Sequence, residues 1–191
     1  MSQLSAASYD ELVDLGRQLY DLALVRSEQE HITDPRGQPI GWLLDTRIPM
    51  LNGTVMPEVG LVLGERLRAK GIHQAVGFGF GSYALVASVV ASGGSPPFMG
   101  GYVREERKPH GRRRLVEGPV QRDRPVVILD DILNSGRSAW KAVELLRQDG
   151  FRVAGLMTLF HFTWSGGKQR LEQQGLWVDS LLDLNLRENE R

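Results

Sequence analysis

Four consecutive apolar residues, Val126-Val127-Ile128-Leu129, run directly into Asp130 and Asp131, and no other segment constrains the fold of this chain as strongly. A strand that is apolar at every position, not at alternate ones, needs cover on both faces. That is the condition of an inner strand in a sheet sandwiched by helices. The rest of the chain alternates accordingly. Ser8 and Glu11 form a capping box, and Leu12, Leu15, Leu19 and Leu22 recur at helical spacing, so a helix is predicted over 9–25. Residues 26–41, with Pro35, Gly37, Pro39 and Gly41, are expected to be irregular, with a short strand over 42–46. Pro57 opens a second helix that stops near Gly71. Strands follow over 75–78, 98–103, 126–129, 152–160 and 177–184, and helices over 83–91, 137–148 and 168–174. The expectation is an α/β fold in one domain over 1–191, with a mostly parallel central sheet flanked by helices.

Composition narrows the function classes. Lys plus Arg number 23 and Asp plus Glu 23, so there is no global field to attract nucleic acid, and a nucleic-acid partner is not expected. The absence of cysteine excludes disulfides, thiolate metal sites and cysteine nucleophiles. No apolar stretch approaches the ~20 residues of a membrane-spanning helix. Nor does the N-terminal segment carry a basic stretch followed by an apolar one, so a soluble cytoplasmic protein is expected.

In an open sheet of this kind, ligands bind beyond the carboxyl ends of the strands. Three loops leave such ends, at 77–82, 104–118 and 130–138. The last is the most informative. Adjacent carboxylates at a strand tip can accept hydrogen bonds from vicinal hydroxyls. Asn134-Ser135-Gly136-Arg137-Ser138 offers backbone N–H groups and hydroxyls at a helix N-terminus, which suits a phosphate monoester. An Asp-Asp pair can also simply cap a turn. The apolar strand before it and the small-residue loop after it favour a ligand site.

With those residues in view, 126–138 closely resembles the phosphoribosyl pyrophosphate (PRPP) motif of type I phosphoribosyltransferases. The resemblance implies that Asp130 and Asp131 hold the ribose hydroxyls. It also implies that the stretch Ile132, Leu133, Asn134, Ser135, Gly136, Arg137 and Ser138 leads into and forms the 5-phosphate cradle, starting at Leu133. A small N-terminal hood, built from about 26–50 with the C-terminal strand, is implied too.

Within that family, Arg104, Glu106, Lys108, His110 and Gly111, followed by Glu117-Gly118, resemble the mobile catalytic loop of orotate phosphoribosyltransferases. By this resemblance Lys108, His110 and Arg104 serve the departing pyrophosphate and Asp131 supports the ribose. Magnesium is held mainly by PRPP, and a homodimer shares the 104–118 loop. Physically, six Arg and Lys residues over 104–114 can supply cations to a leaving group that gains negative charge. A solvated basic loop is the plainer reading of the same residues. Gly79, Phe80, Gly81 and Ser82, within a Gly-x-Gly-x-Gly run, correspond to the pyrophosphate loop, and Trp42, Leu43, Asn134 and Phe162 to the base pocket.

The chain departs from the orotate pattern in the N-terminal base segment, where Pro35-Arg36-Gly37 lacks the family's lysine, and at three further positions. Glu105 replaces a lysine, Gly81 stands where many members carry a lysine, and Phe162 occupies the place of the arginine that binds the orotate carboxylate. A carboxylate beside phenylalanine in a closed pocket would be costly, and His161, Phe162 and Trp164 point to a flatter, aromatic base pocket or to ordinary core packing. Three functions are therefore open: a phosphoribosyltransferase with orotate as first candidate base, a transferase for another base, or a PRPP- or nucleotide-binding regulator, which could act through RNA at 112–114.

Overall fold

The computed structural model of the chain describes residues 9–34, 36–107 and 114–185. The expected alternation is realised as a six-stranded sheet. In chain order the elements are α1 (Tyr9–Ala23), β1 (Leu24–Arg26), β2 (Trp42–Leu44), α2 (Arg47–Met50), α3 (Met56–Ala69), β3 (Gln74–Phe78), α4 (Ser82–Ala91), β4 (Met99–Val103), β5 (Val116–Glu117), β6 (Val126–Leu133), α5 (Arg137–Gln148), β7 (Val153–Phe162), a 3-10 turn (Thr163–Ser165), α6 (Gly167–Glu172) and β8 (Trp177–Leu184). Sheet order is β5-β4-β3-β6-β7-β8. The β4–β3–β6–β7–β8 pairings are parallel and the short β5 is antiparallel to β4.

Strand β6 lies between β3 and β7 and is buried on both faces, as its apolar run requires. Its side chains alternate between two cores. Val127 and Leu129 join the core built by α1, α3 and α4, while Val126 and Ile128 join the one built by α5 and α6.

Helices α3 and α4 approach closely because small residues meet: Gly60 lies against the Ser88 backbone and Gly64 against Ser92 and Phe98. At α1 the helix ends at Ala23, two residues earlier than expected, because Leu24, Val25 and Arg26 pair antiparallel with Leu44, Leu43 and Trp42. Long-range pairing overrides local helical spacing there. Strands β1 and β2 with α2 form the small N-terminal element. The C-terminal strand, expected to belong to it, is instead the outer parallel strand of the main sheet, with Leu156 opposite Val178 and Phe160 opposite Leu182. Its apolar residues are drawn to the cores that cover that sheet.

Strand β6, predicted to end at Leu129, continues through Asp130, Asp131, Ile132 and Leu133, because β7 runs on alongside it, pairing Asp130 with Thr158 and Leu133 with His161.

A Cβ added at Gly60 would stand 2.7 Å from the Ser88 carbonyl carbon, which belongs to a helix backbone that cannot step aside. Gly60→Ala is therefore expected to destabilise the fold by about 1–3 kcal/mol in urea denaturation, the usual cost of overpacking. Gly53→Ala, with open space around the position, should leave the midpoint essentially unchanged.

Candidate phosphoribosyl site

The acidic pair sits on the carboxyl-terminal half of the central strand, where the loop after β3 and the N-terminal element converge on it. Asp131 Oδ2 accepts a hydrogen bond from the Thr46 hydroxyl at 2.5 Å, and its Oδ1 accepts one from the Ile132 N–H at 2.9 Å. Gly81, from the loop after β3, lies directly against the Asp131 carboxylate. The Asp131 N–H donates to Asp130 Oδ1 at 3.0 Å. Burial pushes the Asp130 carboxyl well above the ordinary Asp value. The neighbouring Asp131 charge and their mutual side-chain hydrogen bond raise it further, and the Asp131 backbone N–H only partly offsets this.

The loop after β6 begins at Asn134, not at Leu133. Leu133 is still in the strand and buried in the α5 core, and Ile132 packs against the opposite core, so neither side chain is part of a phosphate cradle. Gly136 adopts the left-handed conformation (φ 73°) as the N-cap of α5, which a residue with a side chain would resist. Two neighbours brace this loop. Ser165 Oγ donates to the Asn134 carbonyl at 2.6 Å, and Arg170 Nη1 donates to the Ser135 carbonyl at 2.5 Å. In a trans peptide the N–H points opposite to the C=O. Tethering these two carbonyls outward therefore aims the N–H groups of Ser135 and Gly136 the other way, as an anion cradle requires. Gly167 lets α6 approach: a Cβ there would stand 3.0 Å from the Asn134 carbonyl carbon. Arg137 and Ser138 are exposed on the first turn of α5. The bracing role of Ser165, Gly167 and Arg170 escaped the sequence reading, since nothing local marks a serine or arginine 31 or 35 positions away as a brace.

The other two predicted loops lie at the same end of the sheet. Gly79 has φ 85°, and the Ser82 hydroxyl turns inward onto the Gly79 carbonyl at 2.7 Å, which closes this turn on itself. Phe80 is 72% exposed. Between this turn and the end of β4 is a cavity of about 250 Å3, lined by Phe78, Gly79, Tyr83, Arg104, Glu105 and Glu106. Arg104 Nη1 lies 3.8 Å from Glu117 of β5, and the Arg104 backbone N–H donates to the Leu115 carbonyl, so the stem of the basic loop is a β-hairpin. Glu105, the charge reversal, pairs with Lys141 of α5 at 2.7 Å, and Arg107 pairs with Asp149. Lys108, His110 and Gly111 lie outside the described residues.

At the proposed base pocket, Trp42 meets Phe162 edge-on (centroids 6.2 Å, 87°), and Phe162 stacks on Trp164 (4.8 Å, 10°). Leu43 lies beside Trp42 in β2. His161 does not join them. It is buried, and Nδ1 stands 3.0 Å from Asp183 Oδ1. Asn134 is exposed at the head of the loop that leads into α5.

Because the folded protein holds the Asp130 proton more tightly than the unfolded chain does, Asp130 costs nothing below the ordinary Asp range, and the cost grows as pH rises through its elevated value. Asp130→Asn keeps the acceptor for the Asp131 N–H and removes the charge. In ligand-free thermal denaturation it should match wild type near pH 3 and melt higher at pH 7–8, by roughly 2–4 °C for each kcal/mol relieved in a chain of this size. A mutant that melts lower at pH 8 than at pH 3 relative to wild type would contradict this account.

No protein-family model matches the chain. Among curated proteins, the orotate phosphoribosyltransferase of Listeria monocytogenes (serotype 4b, strain F2365) is 36% identical over 94 residues, 46% of this chain and 45% of the relative. The chain thus spans less than half the length of the curated relatives it matches. Among solved structures, Mycobacterium tuberculosis H37Rv orotate phosphoribosyltransferase in complex with Fe(III) dicitrate superposes with a TM-score of 0.77 at 22% identity, covering 91% of this chain and 96% of that one. The same enzyme in complex with PRPP superposes with a TM-score of 0.71 at 20% identity, covering 93% and 92%. The chain therefore has the type I phosphoribosyltransferase fold, and over part of its length it is a sequence relative of the orotate phosphoribosyltransferases.

Proposed function

We propose that the protein is a PRPP-dependent phosphoribosyltransferase of the cytoplasm that joins a nitrogenous base to the sugar, releases pyrophosphate and yields a nucleoside 5'-monophosphate, with orotate as first candidate base. The observation that carries the reading is the convergence of the acidic pair, a glycine-bearing anion loop at the N-terminus of α5 and the glycine-rich turn after β3 at one end of the sheet. The PRPP complex of the structural relative agrees with it. Ribose hydroxyls would donate to Asp130 and Asp131, and the 5-phosphate would accept from the N–H groups of 135–138, where the positive end of the α5 dipole adds to the attraction. Ribose hydroxyls at the acidic pair would also supply donors to a carboxyl group whose charge burial disfavours.

Carboxylate oxygens are the hard donors that magnesium takes, so the acidic pair fits an ion carried in by the sugar diphosphate. When bound, magnesium neutralises diphosphate charge. The chain's own residues supply the rest: Arg104 at the hairpin stem, with Lys108 and His110 of the same sequence segment, stabilise the charge that develops as pyrophosphate departs. The same loop, shared across a homodimer, would serve a partner's site. The outer face of α4, with Tyr83, Ala87 and Val90 exposed at helical spacing, is an apolar stripe that suits such a pairing.

A second reading concerns the base. The Trp42, Phe162 and Trp164 cluster offers aromatic faces and no cation of its own, which favours an uncharged planar base over a carboxylate.

Incubating the protein with PRPP, magnesium and a panel of bases, and measuring pyrophosphate, tests both. Turnover with orotate supports the first reading, turnover only with uncharged bases the second. PRPP binding without any turnover would point to a regulator. The Asp130→Asn/Asp131→Asn double variant should weaken PRPP binding at least tenfold by calorimetry, the scale of losing hydrogen bonds to charged groups. Lys108→Ala should lower kcat far more than it raises the KM for PRPP, because its charge matters most as the leaving group departs. Equal rates would remove Lys108 from the mechanism.

A further inference from the structure

We infer that Thr46 and Gly81 form a two-sided seat for the Asp131 carboxylate, with Thr46 acting as a positioning residue for the sugar site; this rests on the phosphoribosyl reading above. Thr46 stands at the N-cap of α2, where a threonine ordinarily accepts a hydrogen bond from the first helical turn. It makes no such bond. It is 97% buried, and its hydroxyl is committed across 85 positions to Asp131 Oδ2. The neighbouring Arg47 directs its Nε and Nη2 to Asp45, at 2.6 and 2.7 Å, and its charge reaches Asp131. The small helix is thus turned so that its cap residue serves the central strand instead of itself.

Gly81 closes the other side. Its backbone conformation is ordinary, so no torsional need explains a glycine there. The need is space: a Cβ would stand 2.7 Å from the Asp131 carboxyl carbon and nearer still to Oδ2. Any side chain at 81, a lysine included, would push the carboxylate off Thr46. The glycine at 81 and the threonine at 46 therefore answer to one another through a carboxylate that neither adjoins in sequence.

A carboxylate offers about four acceptor positions over its two oxygens. Thr46 takes one on Oδ2 and the Ile132 N–H one on Oδ1. With the hydrogen bond shared with Asp130 counted as well, the carboxylate keeps capacity for a sugar hydroxyl while its direction is already set. Ordering the carboxylate before the ligand arrives removes that cost from binding.

The test is PRPP binding by calorimetry with magnesium, together with steady-state kinetics and thermal denaturation, on wild type, Thr46→Val, Thr46→Ser, Gly81→Ala and the Thr46→Val/Gly81→Ala double variant. Thr46→Val, which keeps shape and loses the hydroxyl, should weaken PRPP binding about tenfold and raise the KM for PRPP but not for the base. Thr46→Ser should restore binding to within about twofold of wild type. Gly81→Ala should weaken PRPP binding similarly. The double variant should be no worse than the poorer single, because both act on one carboxylate. Thr46→Val binding PRPP as tightly as wild type, or losses that multiply in the double variant, would overturn the seat while leaving the functional reading intact. A wild type that binds no PRPP overturns the functional reading itself, and the role given to Thr46 with it.

Discussion

The structure depends on the burial of β6. A strand of this composition cannot face water on either side, so helices must cover both faces of the sheet, and parallel neighbours must flank it. Val127 and Leu129 commit one face to α1, α3 and α4, and Val126 and Ile128 commit the other to α5 and α6. Once those residues are sealed, the carboxyl end of the strand can go only to the rim where the other strands also end. The acidic pair is carried there by its apolar neighbours.

That placement has an electrostatic consequence. Asp130 and Asp131 lie in a strand and not in a loop, half withdrawn from water, with one carboxyl group resisting ionisation. A buried carboxyl that resists ionisation at the carboxyl end of a strand marks a candidate site. Its supports come from far along the chain. Thr46 and Gly81 hold Asp131 from one side of the sheet, and Ser165, Gly167 and Arg170 hold the backbone of the loop before α5 from beyond β7. The two halves of the candidate site, the acidic pair and the loop before α5, are thus fixed by different elements and meet only because β6 and β7 run together past Asp130.

The charge reversal at Glu105 also finds a partner in the fold. Lys141 of α5 lies opposite it, and Arg107 reaches Asp149, so the first residues of the basic loop run along α5. Such exposed pairs contribute little to stability. Their consequence is one of direction: they set where the stem of the loop leaves β4, beside the cavity that Gly79 and Arg104 line.

Read as a sequence, the chain determined most of this architecture. Alternation of apolar runs with helical periodicity yielded helix α5 and strand β8 at their observed ends, the parallel sheet and the three loops at its rim. These depend on local composition and spacing, which survive translation into structure because each element's burial is decided residue by residue. Tertiary structure alone decided what crosses between elements. It ended α1 at Ala23 through pairing with β2, lengthened β6 through pairing with β7, moved the C-terminal strand into the main sheet, turned His161 away from the aromatic cluster toward Asp183, and gave Asp131 its threonine. The physical reason is the same in each case. A hydrogen bond or a steric fit between residues tens of positions apart leaves no periodic trace in either segment, and exists only once packing has brought the two together.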